Sequence, residues 1–335
     1  LWLRAAKNVG LALERRRQYG ASIHVAYGSY WLPSPIVAFK ASSIWGPVGG
    51  ATRTPMAMWP YLGAKGVFGE ILKLLLVRLV SRLPTVRRTW YGADFLLAET
   101  ENTRRALPIS LREDTRVINR AALQIAPARP ANSVRKPYIL FPSRLQPRKG
   151  ARLAIHALTH AAKNVKLVFV ADGMERRSLE ALANRLGVSE QVAFRGWIER
   201  EAMFQAVYEA AAVLLTGMRE EGGCALSEAM QLGTPVIVLG VGGAKLLAET
   251  NLDPSRVSIV EPASGGVTAK EMGRKMTHYV NKLHPATEGY LDRGSVEQQL
   301  LDVVAQACER SGCPLAPTAV SRPSNVALTA TNTCK

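Results

Sequence analysis

The sequence predicts an α/β protein built as two Rossmann-like domains with parallel sheets. Three observations predict it. The 335 residues are too many for one ordinary core and suit two domains of ~150 residues each. From residue 134 onward, short β-branched or aromatic runs alternate with longer segments of helical period, the pattern of parallel strands joined by crossover helices. Before it the same grammar appears in pieces, and LQIAPARPANSVRKP (123–137), rich in Pro, Ala and Arg, reads as the linker.

Taken in order, residues 1–18 carry apolar residues at helical spacing and run directly into a strand over 22–27. PIVAFKA (35–41) and ADFLLAET (93–100) read as further strands. The first residue is Leu1, and the chain enters in what reads as the middle of a domain. The N-terminal domain, 1–133, is therefore expected to be truncated. In the C-terminal domain, 134–312, strands are expected at 138–143, 166–172, 191–196, 212–217, 235–240 and 256–262. Helices are expected near 150–162, 174–186, 200–210, from 224 to a stop at Gly233, and near 243–249. Residues 313–335, low in charge and rich in Pro, Ser and Thr, are expected to be disordered.

The formal net charge is +17, and it is unevenly held: residues 1–136 contain 21 Lys and Arg against 7 Asp and Glu, the remainder 22 against 19. Such a field favours a polyanion, whether nucleic acid, an anionic membrane or a phosphorylated substrate. Cys224, Cys308, Cys313 and Cys334 show no CxxC pairing and no histidine partner, which fits neither a zinc site nor a disulfide framework and predicts a reducing, cytoplasmic setting. The longest apolar candidate, 70–83, is interrupted by Lys73, Arg78 and Arg82, so no transmembrane span is expected.

The segment EEGGCALSEAMQLGTPV (220–236) places Glu220 at the carboxyl end of a strand, where open α/β sheets bind ligands. Gly222 and Gly223 let backbone amides approach a ligand at a helix start suited to phosphate. Glu228, on the second turn of that helix, suits the hydroxyls of a sugar. In FPSRLQPRKGARLAI (141–155), Arg144 and Lys149 follow another strand end, and two fixed cations there neutralise a departing diphosphate without a metal.

The series SRLQPRKG, VFVADGMERRSLEALANRLGVSEQVAFRGW and EEGGCALSEAMQLGTPVIVLGVGG resembles the donor domain of the retaining glycosyltransferases of family 4, which have the GT-B fold, over residues 138 to about 262. The resemblance implies that Arg144 and Lys149 bind the donor diphosphate, that Glu228 holds ribose hydroxyls, and that Glu220 lies against the donor sugar. It also implies donor contacts from the backbone of Gly222, Gly223, Cys224 and Ala225, and a nucleobase pocket lined by Trp197. A core-facing Trp197 is the alternative. Two positions depart from the family pattern: Gly222 stands where an aromatic is usual, and Lys245 where an acidic residue is common.

The N-terminal half is similar to the same family through IHVAYGSYWLPSP (23–35), IWGPVGGATRTP (44–55) and ADFLLAETENTRRAL (93–107). His24 is expected to serve as a hydrogen-bond donor or proton carrier, and the loop of Gly49 and Gly50 to approach the donor. In KGVFGEILKLLLVRLVSRLPTVRR (65–88), two readings stand side by side, a helix lying on an anionic membrane and a packed helix with basic ends. The function implied is transfer, with retention, of a sugar from a nucleoside-diphosphate sugar to a glycan or lipid-linked acceptor. It needs no cofactor and no metal, and it is set in the cytoplasm or at the inner face of the membrane. The alternatives are a basic nucleic-acid-binding protein and an inactive truncated remnant. The chain lacks a helix-turn-helix, a zinc finger and an aromatic sheet motif, so nucleic acid is not the expected partner.

Overall fold

A computed structural model describes residues 1–25, 28–124, 134–285 and 287–312. The tail at 313–335, with Cys313 and Cys334, and residues 125–133 of the expected linker lie outside them. The chain divides into two compact units. One holds Leu1–Ala51, Leu74–Asn119 and the segment from Arg293, the other Thr52–Lys73 and Arg120–Asp292.

The first unit contains β1 (Ala21–His24), β2 (Ser42–Val48), β3 (Phe95–Ala98) and β4 (Arg116–Val117), all parallel and in that spatial order. Every residue of β2 is buried. A Cβ on Gly46, whose φ is +127°, would collide with the Leu97 carbonyl. The pairing of β2 with β3 slips between Trp45 and Val48, which accommodates Pro47 in a strand flanked on both sides. The expected strand at 35–41 is instead a short 3-10 turn, Ile36–Ala38. Pro35 sits in the αR region there, and burial of Ile36 beside Trp45, Val86 and Trp90 outweighs the β propensity of the run.

The second unit contains β5 (Lys136–Phe141), β6 (Lys166–Phe169), β7 (Val192–Phe194), β8 (Ala210–Leu215), β9 (Val236–Leu239) and β10 (Val257–Val260), in the order β10-β9-β8-β5-β6-β7. All pairings are parallel, as the alternating pattern predicts. Helices Ala151–Leu158, Arg176–Arg185, Arg200–Glu209, Cys224–Gln231, Gly242–Glu249 and Val267–Asn281 connect or cover the strands. Phe141, Phe169 and Phe194 are in register at the strand ends, with ring centroids 4.9 and 4.8 Å apart, an aromatic row that stiffens this edge of the sheet. Two buried arginines, Arg135 and Arg256, share the Gly233 carbonyl at 2.8 and 2.9 Å. Burial and the neighbouring Arg256 push Arg135 down to about 10.

The division differs from one drawn at residue 133. Met58 and Leu62 are buried in the core of the second unit, and the helix Arg293–Arg310 turns Val296, Val303, Ala307 and Cys308 inward and contacts β1 and β2. Burial of these side chains overrides their order along the chain.

The helix Gly63–Val80 is inverted relative to a packed amphipathic helix. Glu70 is 3% exposed, whereas Phe68, Leu75 and Leu79 are 69%, 62% and 65% exposed. Among the described residues no helix is long and apolar enough to cross a membrane.

Candidate active site

In the second unit the strand order reverses between β5 and β8. Such a switch point opens a crevice beyond the carboxyl ends of the two strands. A cavity of ≈ 360 Å³ lies there.

The loop after β5 makes a 3-10 turn, Pro147–Lys149, and reverses at Gly150, whose φ is +73°. A Cβ at Gly150 would collide with the Thr216 carbonyl of the loop after β8. The Thr216 hydroxyl donates to the carbonyls of Lys149 and Gly150 at 3.0 and 2.9 Å, and the Met218 amide donates to the Arg148 carbonyl at 2.9 Å. Backbone contact thus locks the two loops together. The result is an ion pair, Lys149 Nζ to Glu220 Oε2 at 2.6 Å, with side chains 18% and 20% exposed. From the other side the glycine loop of ADGMERR braces SRLQ. Leu145 donates its amide to the Asp172 carbonyl and accepts that of Glu175, both at 3.1 Å, and a Cβ on Gly173 would strike the Leu145 backbone.

Gly223, at φ +91°, caps the helix Cys224–Gln231. The first amides of that helix have no intrahelical acceptor, and its N-terminal end carries partial positive charge. Gly223, Cys224, Ala225 and Glu228 line the cavity together with Arg144, Lys149 and Glu220. Burial pushes the Glu228 carboxyl above its ordinary range, opposed by Arg200. Three cations, several amides and two carboxylates around one cavity suit a ligand with both a diphosphate and hydroxyl groups.

Arg148 also lines the cavity, its guanidinium pushed down by burial. It stands in the same basic run, SRLQPRKG, directly before Lys149. Gly222 lies in the loop and does not line the cavity. Nor does Trp197, which is 67% exposed on the loop after β7 rather than facing the core. Lys245 pairs with Glu261 at 2.7 Å. In the first unit, His24 ends β1 with Nδ1 2.6 Å from the Ser34 hydroxyl and its ring stacked on Trp2. Gly49 donates its amide to the Gly28 carbonyl at 2.6 Å. Gly50, at φ +102°, has the Trp31 indole nitrogen 3.0 Å from where a Cβ would stand. Among the described residues no group of three or more His, Cys, Asp or Glu is placed to hold a metal.

Residues 125–256 match the family model described as glycosyl transferases group 1, and every residue lining the cavity falls within that stretch. This stretch is a group 1 glycosyltransferase domain. The chain is 29% identical to a D-inositol 3-phosphate glycosyltransferase of Xylanimonas cellulosilytica over 53% of its own length and 44% of that protein. It is 32% identical to a 2-deoxystreptamine glucosyltransferase of Streptomyces kanamyceticus over 32% of its length and 28% of that protein. Its match therefore spans less than half the length of either relative. Among solved structures, sucrose-phosphate synthase from Thermosynechococcus elongatus is similar with a TM-score of 0.52 at 18% identity, covering 92% of this chain and 78% of that one. That likeness is one of fold. The group 1 domain holds β5 to β9, so the switch point and both its loops belong to it.

Proposed function

We propose that the protein transfers a sugar from a nucleoside-diphosphate sugar to a glycan or lipid-linked acceptor, with retention and without a metal. The observation that carries this reading is the Lys149–Glu220 pair at the switch point, with Arg144 and Glu228 lining the same cavity. In the proposed reaction the bond from the anomeric carbon to the diphosphate oxygen breaks, and a bond to the acceptor oxygen forms on the same face. The acceptor proton passes to the departing diphosphate. Arg144 and Lys149 stabilise the charge that develops on the leaving group, the role a metal would otherwise fill. Glu228 orients the ribose, and Glu220 faces the sugar. No protein nucleophile is required. His24 is assigned to hydrogen-bond donation or proton carriage, Gly49 and Gly50 to the donor, and Trp197 to the donor's base.

Calorimetry with UDP, GDP and ADP tests the donor site. One nucleotide is expected to bind at micromolar strength, about −8 kcal/mol. Binding of duplex DNA with none of the three nucleotides would replace this reading with that of a basic nucleic-acid-binding protein.

We further propose that the acceptor side works at an anionic membrane surface on the cytoplasmic side. The exposed Phe68, Leu75 and Leu79 share their helix with Lys65 and Arg78, a combination suited to insertion among anionic headgroups. Co-sedimentation is expected with phosphatidylglycerol vesicles and not with phosphatidylcholine vesicles. It is expected to fall severalfold in Phe68→Ser/Leu79→Ser, given about 1.5–3 kcal/mol per buried large apolar side chain. Equal sedimentation of the double variant, or none by the parent chain, removes the membrane from the proposal.

A further inference from the structure

Glu221 follows Glu220 but does not line the cavity. Its Oε1 instead accepts the amide of Thr52 at 2.8 Å, a partner 169 residues distant in the chain. On the other side of Glu220, Arg219 donates Nη1 to Glu70 Oε2 at 2.7 Å. Glu70 is buried, and its second oxygen accepts the Thr54 amide at 3.4 Å. Lys73 Nζ closes the arrangement on the Thr52 carbonyl at 3.2 Å. Burial and the adjacent Arg219 bring that ammonium down to about 8, against the pull of Glu70 and Glu221 and with a further push from Arg53, so the contacts form in a partly dry environment where they are strong.

Both neighbours of Glu220 are therefore held by one segment, Thr52–Lys73. We propose that this segment is a strap that sets the position of the Glu220 carboxylate against Lys149, with Arg219 and Glu221 as its positioning residues. The proposal rests on the donor-site reading for its catalytic meaning, while the mechanical claim stands on the geometry. A carboxylate as buried as Glu70 is costly unless paired, so its pairing fixes one arrangement of the Arg219 side. The Glu220 carbonyl is held from a third direction by the Gly243 amide at 2.8 Å, which fixes its main chain while its carboxylate pairs with Lys149.

Hydrogen exchange across 217–223 in the full chain tests the strap without requiring activity. Glu221→Ala is expected to speed exchange there at least tenfold, about 1.4 kcal/mol, with β5 and β6 unchanged. Glu221→Gln is expected to restore slow exchange, because its amide oxygen still accepts from Thr52. Glu70→Gln, which gives up the ion pair with Arg219, is expected to loosen the same amides. In transfer assays Glu221→Ala should lower kcat about tenfold and leave donor KM within twofold, the mark of lost positioning rather than lost binding. Unchanged exchange at 217–223 in Glu221→Ala, or faster exchange spread evenly through the unit, overturns the proposal. Failure of the parent chain to bind any nucleoside diphosphate overturns the glycosyltransferase reading instead, and the exchange result still decides the strap.

Discussion

Lys149→Ala is expected to weaken nucleoside-diphosphate binding by roughly 10- to 100-fold, since a hydrogen bond to a charged group contributes about 1.5–3 kcal/mol. Transfer should fall further, by about 10²- to 10³-fold, as when one electrostatic donor to a developing anion is lost. The loss has a second source. Lys149 and Glu220 neutralise one another at 2.6 Å, so removing the cation leaves a half-buried carboxylate facing an incoming diphosphate. Glu220→Gln separates the two contributions: it frees Lys149 and should hold or tighten nucleotide binding while transfer is lost. Calorimetric affinity and initial rates of the two variants and their combination form a double-mutant cycle. Nucleotide affinity and turnover of Lys149→Ala within twofold of the parent would remove the pair from the proposed mechanism.

The second large effect concerns Glu228 and pH. Burial raises its carboxyl above the ordinary value of 4.5, and the ionised form is the one that accepts two hydroxyls. Donor affinity is therefore expected to rise with pH through this elevated pKa and to level off above it. Stability runs the other way. A carboxyl whose folded pKa is raised contributes most below its unfolded pKa, and that contribution is lost as pH rises through the folded value. Glu228→Gln should abolish both dependences and weaken binding about tenfold above the transition, roughly 1.4 kcal/mol. A pH dependence of donor affinity that persists in Glu228→Gln would assign the titration to another group.

The parallel sheet of the second unit was legible because its strands are short apolar runs bounded by Gly and Pro, and its helices carry the 3.6 period between them. The cavity was legible for the same reason: Arg144, Lys149 and Glu220 stand in the loops that follow strand ends and Glu228 on the second turn of the next helix, where chain order predicts spatial neighbours. What could not be read is what depends on distant partners. Nothing in TRTPMAMWPYLG announces that Thr52 meets Glu221 or that Met58 and Leu62 enter the core of the second unit. The apolar run at 36–39 looked like a strand because periodicity cannot tell a buried turn from a short buried strand. In the helix Gly63–Val80 the apolar residues spread nearly all round, so hydropathy left its buried face open, and an ion pair with Arg219 holds Glu70 inward.

Gly150 carries a consequence for redesign. Its missing side chain lets the turn after β5 rest on the Thr216 carbonyl, so Lys149 is registered to Glu220 through main chain on both sides rather than through a stack of rotamers. Altering donor preference by moving these loops would disturb the cation and the carboxylate together. Cys224 and Ala225, which line the cavity from the next helix, are the positions where shape can be changed one atom group at a time while the alignment beneath them is kept.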